Sequence, residues 1–188
     1  MAHQTFEIVR QPIAVGRRSR RRLEERLALR FPGALAFVAR TVSQLRPSSR
    51  LRKALLRRAV LLVLEASNRG DFESAFGALY DPDCEFIPPA ELVTVGAAES
   101  KACGREARRR FQRQWNAEWG EFRYEPEELI DLGDRMLVLG RIRGIGLSSG
   151  ATFDNEWTTL VTIPAGRVVR EQPFLSHQKG LDAAGLSE

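Results

Sequence analysis

The candidate side chains for proton chemistry in this 188-residue sequence are Glu85, Glu91, Glu156 and His177. A carboxylate or imidazole serves as acid or base only when burial tunes its pKa and a partner lies within hydrogen-bond reach. The sequence shows neither, so roles can only be assigned in outline. Glu85 or Glu156 would be the base, His177 the acid, and Arg143 would stabilise a developing enolate. Arg143 and Glu156 are also the best polar pair to meet a bound ligand. The apolar counterpart is aromatic. Phe111, Trp115 and Trp119 recur at i, i+4 and i+8, and Phe76, Tyr80 and Trp157 could join them around a pocket. Core packing is the first reading of that stripe, with the neighbouring arginines turned elsewhere, and a pocket wall is compatible with it. Cys84 and Cys103 have no Cys-x-x-Cys spacing, and the histidines, His3 and His177, are far apart. Free thiols, no metal and no cofactor are therefore expected.

The elements that must position these groups follow from periodicity. "RKALLRRAVLLVLEASN" is a helix, expected from about Arg50 to Ser67, capped by Ser48 or Ser49 and apolar nearly all round in its last turns. Gly70 can close it in a left-handed conformation. Asp71 then caps a second helix, "FESAFGALY", which Asp81-Pro82-Asp83 stops before a strand begins at "CEFI". The acidic residues of this corner are punctuation before they are chemistry. After the helix "GREARRRFQRQWNAEWG" come four strand-like stretches joined by short turns at Gly133-Asp134, "SSG" and "PAG", which predicts antiparallel neighbours. If partners across the Ser148–Gly150 turn sum to about 299, Arg143 faces Glu156, Arg141 faces Thr158, Ile142 faces Trp157 and Val138 faces Val161. Pro173 predicts an edge or bulge late in the last strand. "KGLDAAGLSE" is a short helical tail.

Charge divides the chain in two. Residues 1–58 hold 15 of the 29 basic residues and only three of the 24 acidic ones, and the remainder is net −7. The front segment reads as helical pieces broken at Pro32 and Pro47. Its arginines could form a solvated structural face, or meet an anionic membrane or an acidic partner. Phe6, Phe31 and Phe37 are too few for a base-stacking surface, which argues against nucleic acid. No apolar run approaches a membrane span and no leader is evident, so a cytoplasmic location is expected.

Taken in order, "NRGDFESAFGALYDPDCEF", "GREARRRF", "LIDLGDRMLVLGRIRGIGLSSG", "PAGRVVR" and "GLDAAGL" resemble the nuclear transport factor 2-like superfamily, and within it the SnoaL-like, polyketide cyclase-type group. The resemblance implies an α+β cone, a curved antiparallel sheet wrapped on helices, over residues 50–188. Residues 1–49 would be an Arg-rich helical extension. It also implies a homodimer and an apolar pocket within the cone. The catalytic residues of the enzymes in this group do not carry over. Val63 stands where steroid isomerase-like members have a tyrosine, and Ile87-Pro88-Pro89 where they have an aspartate base. Arg141-Ile142-Arg143 replaces the Arg-x-Asp of epoxide hydrolase-like members.

The leading expectation is therefore a binder of a small apolar molecule, contacted by Tyr80, Phe111, Trp115, Trp119, Arg143, Glu156 and Trp157. The alternatives are a cofactor-independent isomerase, cyclase or dehydratase, and an interaction module that docks through its basic front segment.

Overall fold

The computed structural model describes residues 8–15, 20–75, 77, 79–94, 96 and 98–186. The expectations for His3, Phe6 and Phe76 lie outside them. Helix α3 (Arg50–Asn68) is the axis of the fold, and the Ser49 hydroxyl accepts the Arg52 amide at its start. Gly70, at φ +72°, turns the chain at its end, and the Asp71 amide returns to the Ala66 carbonyl. Asp71 caps the next helix, α4 (Phe72–Ala75), by accepting from the amide and hydroxyl of Ser74. Two hydrogen bonds from Arg21 push the Asp71 carboxyl down to about 2. Helix α4 is shorter than its sequence pattern, and strand β2 (Tyr80–Phe86) begins four residues earlier than expected. Pro82 is tolerated there because it falls at a break in register between Tyr80 and Glu85, where no ladder donor is required.

Among the described residues the sheet runs in the order β1 (Val9–Pro12), β4 (Trp119–Asp131), β5 (Arg135–Gly146), β6 (Thr152–Thr162), β7 (Val168–Phe174), β2 and β3 (Ala102–Cys103). Its long antiparallel centre is β4, β5, β6 and β7. Strand β2 joins β7 in parallel, and β3 edges β2. Register shifts in β4 at Trp119/Glu121 and Pro126/Glu128 are bulges, and bulges bend a strand. Opposite the second bulge a Cβ at Gly140 would collide with the Glu125 carbonyl, so the close approach of the two strands needs glycine there. The short helix α5 (Ala90–Thr94) follows β2, and the sheet curls around α3 and helix α6 (Arg105–Ala117). Pro173 sits beyond Glu171, the last β7 residue paired to β2, where the strand has a neighbour on one side only.

The β5–β6 register departs from the sequence expectation. Arg141 pairs with Glu156, Arg143 with Asp154, Ile142 with Asn155 and Val138 with Thr159, so partners sum to 297. A wider turn causes this: the Gly146 amide bonds the Ala151 carbonyl and the Gly150 amide bonds the Gly146 carbonyl. A slip of two residues changes every partner but leaves each side chain on its expected face. Helix α7 (His177–Ala184), capped by Ser176, covers the outer face through Leu181 and Ala184 against Ile130, Leu137 and Leu139.

The front segment is not wholly helical. Strand β1 (Val9–Pro12) pairs with β4, and helices α1 (Leu23–Arg30) and α2 (Pro32–Ser43) follow. Some of its arginines tie it to the cone. Arg22 grips Glu65 with two hydrogen bonds, Arg58 reaches Glu24, and Arg69 of the α3 terminus reaches Glu25. Among the described residues no helix is long and apolar enough to cross a membrane.

Candidate ligand-binding cavity

The concave face of the sheet does not close on the helices. A cavity of about 320 Å³ remains between them, at the small end of the roughly 300–1,000 Å³ typical of small-molecule sites. Helix α3 supplies Leu56, Val60 and Val63 to its wall, and α2 supplies Leu35, Val38 and Val42. Helix α6 contributes Phe111 and Trp115; the strands contribute Tyr124, Val138, Ile142, Trp157 and Val161. These residues face inward for the reason given by their periods, alternate positions on strands and every third or fourth on helices.

One end of this apolar chamber is polar. Glu171 of β7 is buried and accepts two 2.8 Å hydrogen bonds from Arg108 of α6, one to each carboxylate oxygen. The Tyr80 hydroxyl donates to the same carboxylate at 3.0 Å. Arg108 Nη1 donates to Gln112 Oε1 at 2.8 Å, and the Tyr124 hydroxyl donates to that oxygen at 3.2 Å. Gln112 in turn donates to Asn116. The guanidinium of Arg108 lies 4.3 Å from the Phe86 ring centroid, a cation–π contact that is strongest where water is excluded. Burial works against the Arg108 charge, but the Glu171 carboxylate outweighs it and raises the guanidinium's pKa. Burial, helped by Glu171, lifts the Tyr80 phenol well above its usual range, and burial also raises Tyr124. The nearby Cys84 thiol is pushed up to about 11 by burial, then by Glu171, which leaves it a protonated, inert core residue. On β6, Thr159 Oγ1 is buried in the cavity wall with no hydrogen-bond partner among the described residues.

The residues singled out from sequence divide sharply. Tyr80, Phe111, Trp115 and Trp157 line the cavity. Trp119 opens β4 instead of continuing α6, and its ring packs behind Trp115 and Phe122 and on Phe153 without itself lining the cavity. Arg143 and Glu156 do not meet a ligand there. Arg143 is exposed on the outer face, bridging Asp154 and Glu125 at 3.1 Å each, and Glu156 is exposed and accepts the His177 amide. His177 Nε2 lies 2.8 Å from the Gly140 carbonyl on that same outer side. Glu85 pairs with Lys101 and Arg170 at the sheet edge, where the hydrogen bond from Lys101 lowers its pKa. Glu91 pairs with Lys179 on the surface. No proposed acid or base from the sequence reaches the chamber.

Of the polar residues that do reach it, Glu171, Arg108 and Gln112 carry little sequence signal. Arg108 is the legible one: it sits three residues before Phe111 and four before Gln112, on the aromatic face and not turned away from it as expected. Among the described residues no His/Cys/Asp/Glu group could hold a metal ion.

A family model described as a SnoaL-like domain matches residues 60–171. No curated protein matches the chain. Among solved structures, TerC co-crystallised with polyporic acid shares 22% identity at TM-score 0.56, over 69% of this chain and 95% of TerC. A nuclear transport factor 2-like protein from Burkholderia thailandensis E264 also shares 22% at TM-score 0.56, over 70% and 95%. A Xanthomonas campestris pv. campestris protein provisionally named a polyketide cyclase shares 17% at TM-score 0.52, over 79% and 99%. At these identities the likeness is one of fold.

Proposed function

The chain belongs to the SnoaL-like domain family, and on that footing we propose that it binds a small, neutral, largely aromatic molecule in its cone. A hydroxyl or N–H of that molecule is donated to the Tyr80–Glu171 end of the chamber. Fold alone would not choose a ligand. The observation that carries this reading is the pairing of Arg108: each of its three nitrogens donates to Glu171 or Gln112, and its charge is met by both oxygens of the Glu171 carboxylate. A ligand carboxylate would find that charge already paired and would face the Glu171 carboxylate. What the polar end offers a ligand is the Glu171 carboxylate and the Thr159 hydroxyl, whose Oγ1 has no hydrogen-bond partner among the described residues. Those groups suit a donor.

Proton-transfer chemistry has one new candidate. Among the described residues Glu171 alone is a carboxylate both buried and lining the cavity. Both its oxygens are held in hydrogen bonds, by Arg108 and Tyr80. The arrangement favours holding a ligand over reacting with it.

Three probes test the proposal: naphthalene, 2-naphthol and 2-naphthoate, titrated by fluorescence against the purified chain. One hydrogen bond nets about 1 kcal/mol or slightly more, so 2-naphthol is expected to bind about tenfold more tightly than naphthalene. The naphthoate is expected to be weakest. Tightest binding by the naphthoate, or equal binding by all three, would refute the assignment of a donor-seeking end.

A further inference from the structure

The apolar side chains left in solvent are not scattered. Of the ten large ones exposed among the described residues, seven lie between residues 23 and 55. Leu23 and Leu27 stand one turn apart on α1, Phe31 follows at its end, Phe37 projects from α2 and Leu51 from α3. Phe37 is 72% exposed and Leu23 69%. Single exposed apolar residues are ordinary, but a concentration of them on three consecutive helices marks an interaction surface.

The same helices carry uncommitted positive charge. Arg26, Arg30, Arg40, Arg46, Arg50 and Arg57 are all exposed, and none makes an ion pair among the described residues. No carboxylate from residue 20 to 58 offsets them, because Glu24 is taken by Arg58 and the buried Glu25 by Arg69. The outer face of the sheet is the opposite case, its Arg141 and Arg143 neutralised by Asp154 and Glu125. Exposed leucine and phenylalanine interleaved with free arginine is the composition of a helix pair that lies in the interface of an anionic bilayer.

We propose that the α1–α2 hairpin and the start of α3 dock this protein onto an anionic lipid surface, with Leu23, Leu27, Phe31, Phe37 and Leu51 entering the headgroup boundary. Val38 and Leu55 are both exposed and both line the cavity, so the chamber opens on this docking face. A ligand dissolved in the bilayer would reach the cone without crossing water. That route depends on the cavity reading; the docking does not.

The test is co-sedimentation of the full chain with phosphatidylcholine vesicles, with and without phosphatidylglycerol. Association is expected only with the anionic vesicles and should weaken as salt is raised. Arg40→Gln is expected to weaken it about fivefold. Phe37→Ser is expected to weaken it about tenfold or more. Both positions are exposed and unpartnered, so the fold should survive either change. In a Phe37→Trp variant, emission should shift to the blue on anionic vesicles. Equal association with both kinds of vesicle, or indifference to Phe37→Ser, would overturn the proposal. So would binding to a double-stranded oligonucleotide with no response to Phe37→Ser, which would assign the arginines to nucleic acid phosphates. Naphthol binding that persists while vesicle binding fails would leave the cavity reading intact and remove only the docking.

Discussion

Arg108→Leu is expected to destabilise the protein by about 3–5 kcal/mol, the usual result of removing one partner from a buried ion pair. Among the described residues the guanidinium is the only charge bonded to both oxygens of Glu171, which lies within the cone. Without it the carboxylate must stay charged in a largely apolar chamber or take up a proton, and both cost free energy. Gln112 keeps the Tyr124 hydroxyl as a donor, so the damage centres on Glu171. Adding Glu171→Leu to Arg108→Leu removes the stranded charge and should restore at least half of the loss, because a buried pair replaced on both sides is often close to neutral. Denaturant unfolding of the two single variants and the double variant measures this coupling. Additive losses would mean that the pair is not the buried unit described here.

Arg52 is expected to be comparably sensitive, and Arg52→Lys should not rescue it. Arg52 is 2% exposed and its partner Asp131 is fully buried. Nε and Nη2 take the two oxygens of Asp131 at 2.6 and 2.8 Å, while Nη1 donates to the carbonyls of Ser43 and Leu45 at 2.9 and 3.1 Å. Nη2 also reaches the Gly133 carbonyl. One planar group therefore satisfies the open carbonyls at the end of α2, holds the carboxylate at the end of β4 and pins the β4–β5 turn. A lysine ammonium is a point donor that cannot span those three places. Arg52→Ala and Arg52→Lys should each lose about 3–5 kcal/mol, and backbone amides of α2 should exchange faster in both. Full stability in Arg52→Lys would show that charge alone suffices. Because α2 walls the cavity, ligand binding should fall together with its protection.

The contrast between these buried arginines and the residues picked out in sequence explains what could be read early. Element order, caps and faces were legible: Gly70, Asp71, Ser49 and the turn glycines act locally, and local chemistry shows in a single sequence. The aromatic wall was legible for the same reason, since Phe111 and Trp115 repeat at helical spacing. The polar end of the chamber was not. Glu171 follows Arg170 in a strand whose acidic and basic residues look alike until the fold buries one and exposes the other. Arg108 was hidden among five arginines of one helix, and only its phase relative to Phe111 and Gln112 separates it from Arg109, Arg110 and Arg113. The sheet partners failed through turn geometry: a wider loop after Gly146 moved Arg143 from Glu156 to Asp154 without changing its face. That outward face is why neither Arg143 nor Glu156 could belong to the cavity while Trp157 does.

Filling the chamber tests its existence most directly. Val138 is buried on the inner wall of β5, and Val138→Phe projects a ring into the space between sheet and helices. In a hollow cone the ring is accommodated, so the variant should unfold at the same denaturant concentration as the parent or higher and should no longer bind 2-naphthol. In a cone packed solid, the added ring would cost about 1–3 kcal/mol. Such a loss of stability, or a variant that still binds 2-naphthol as the parent does, would contradict the account.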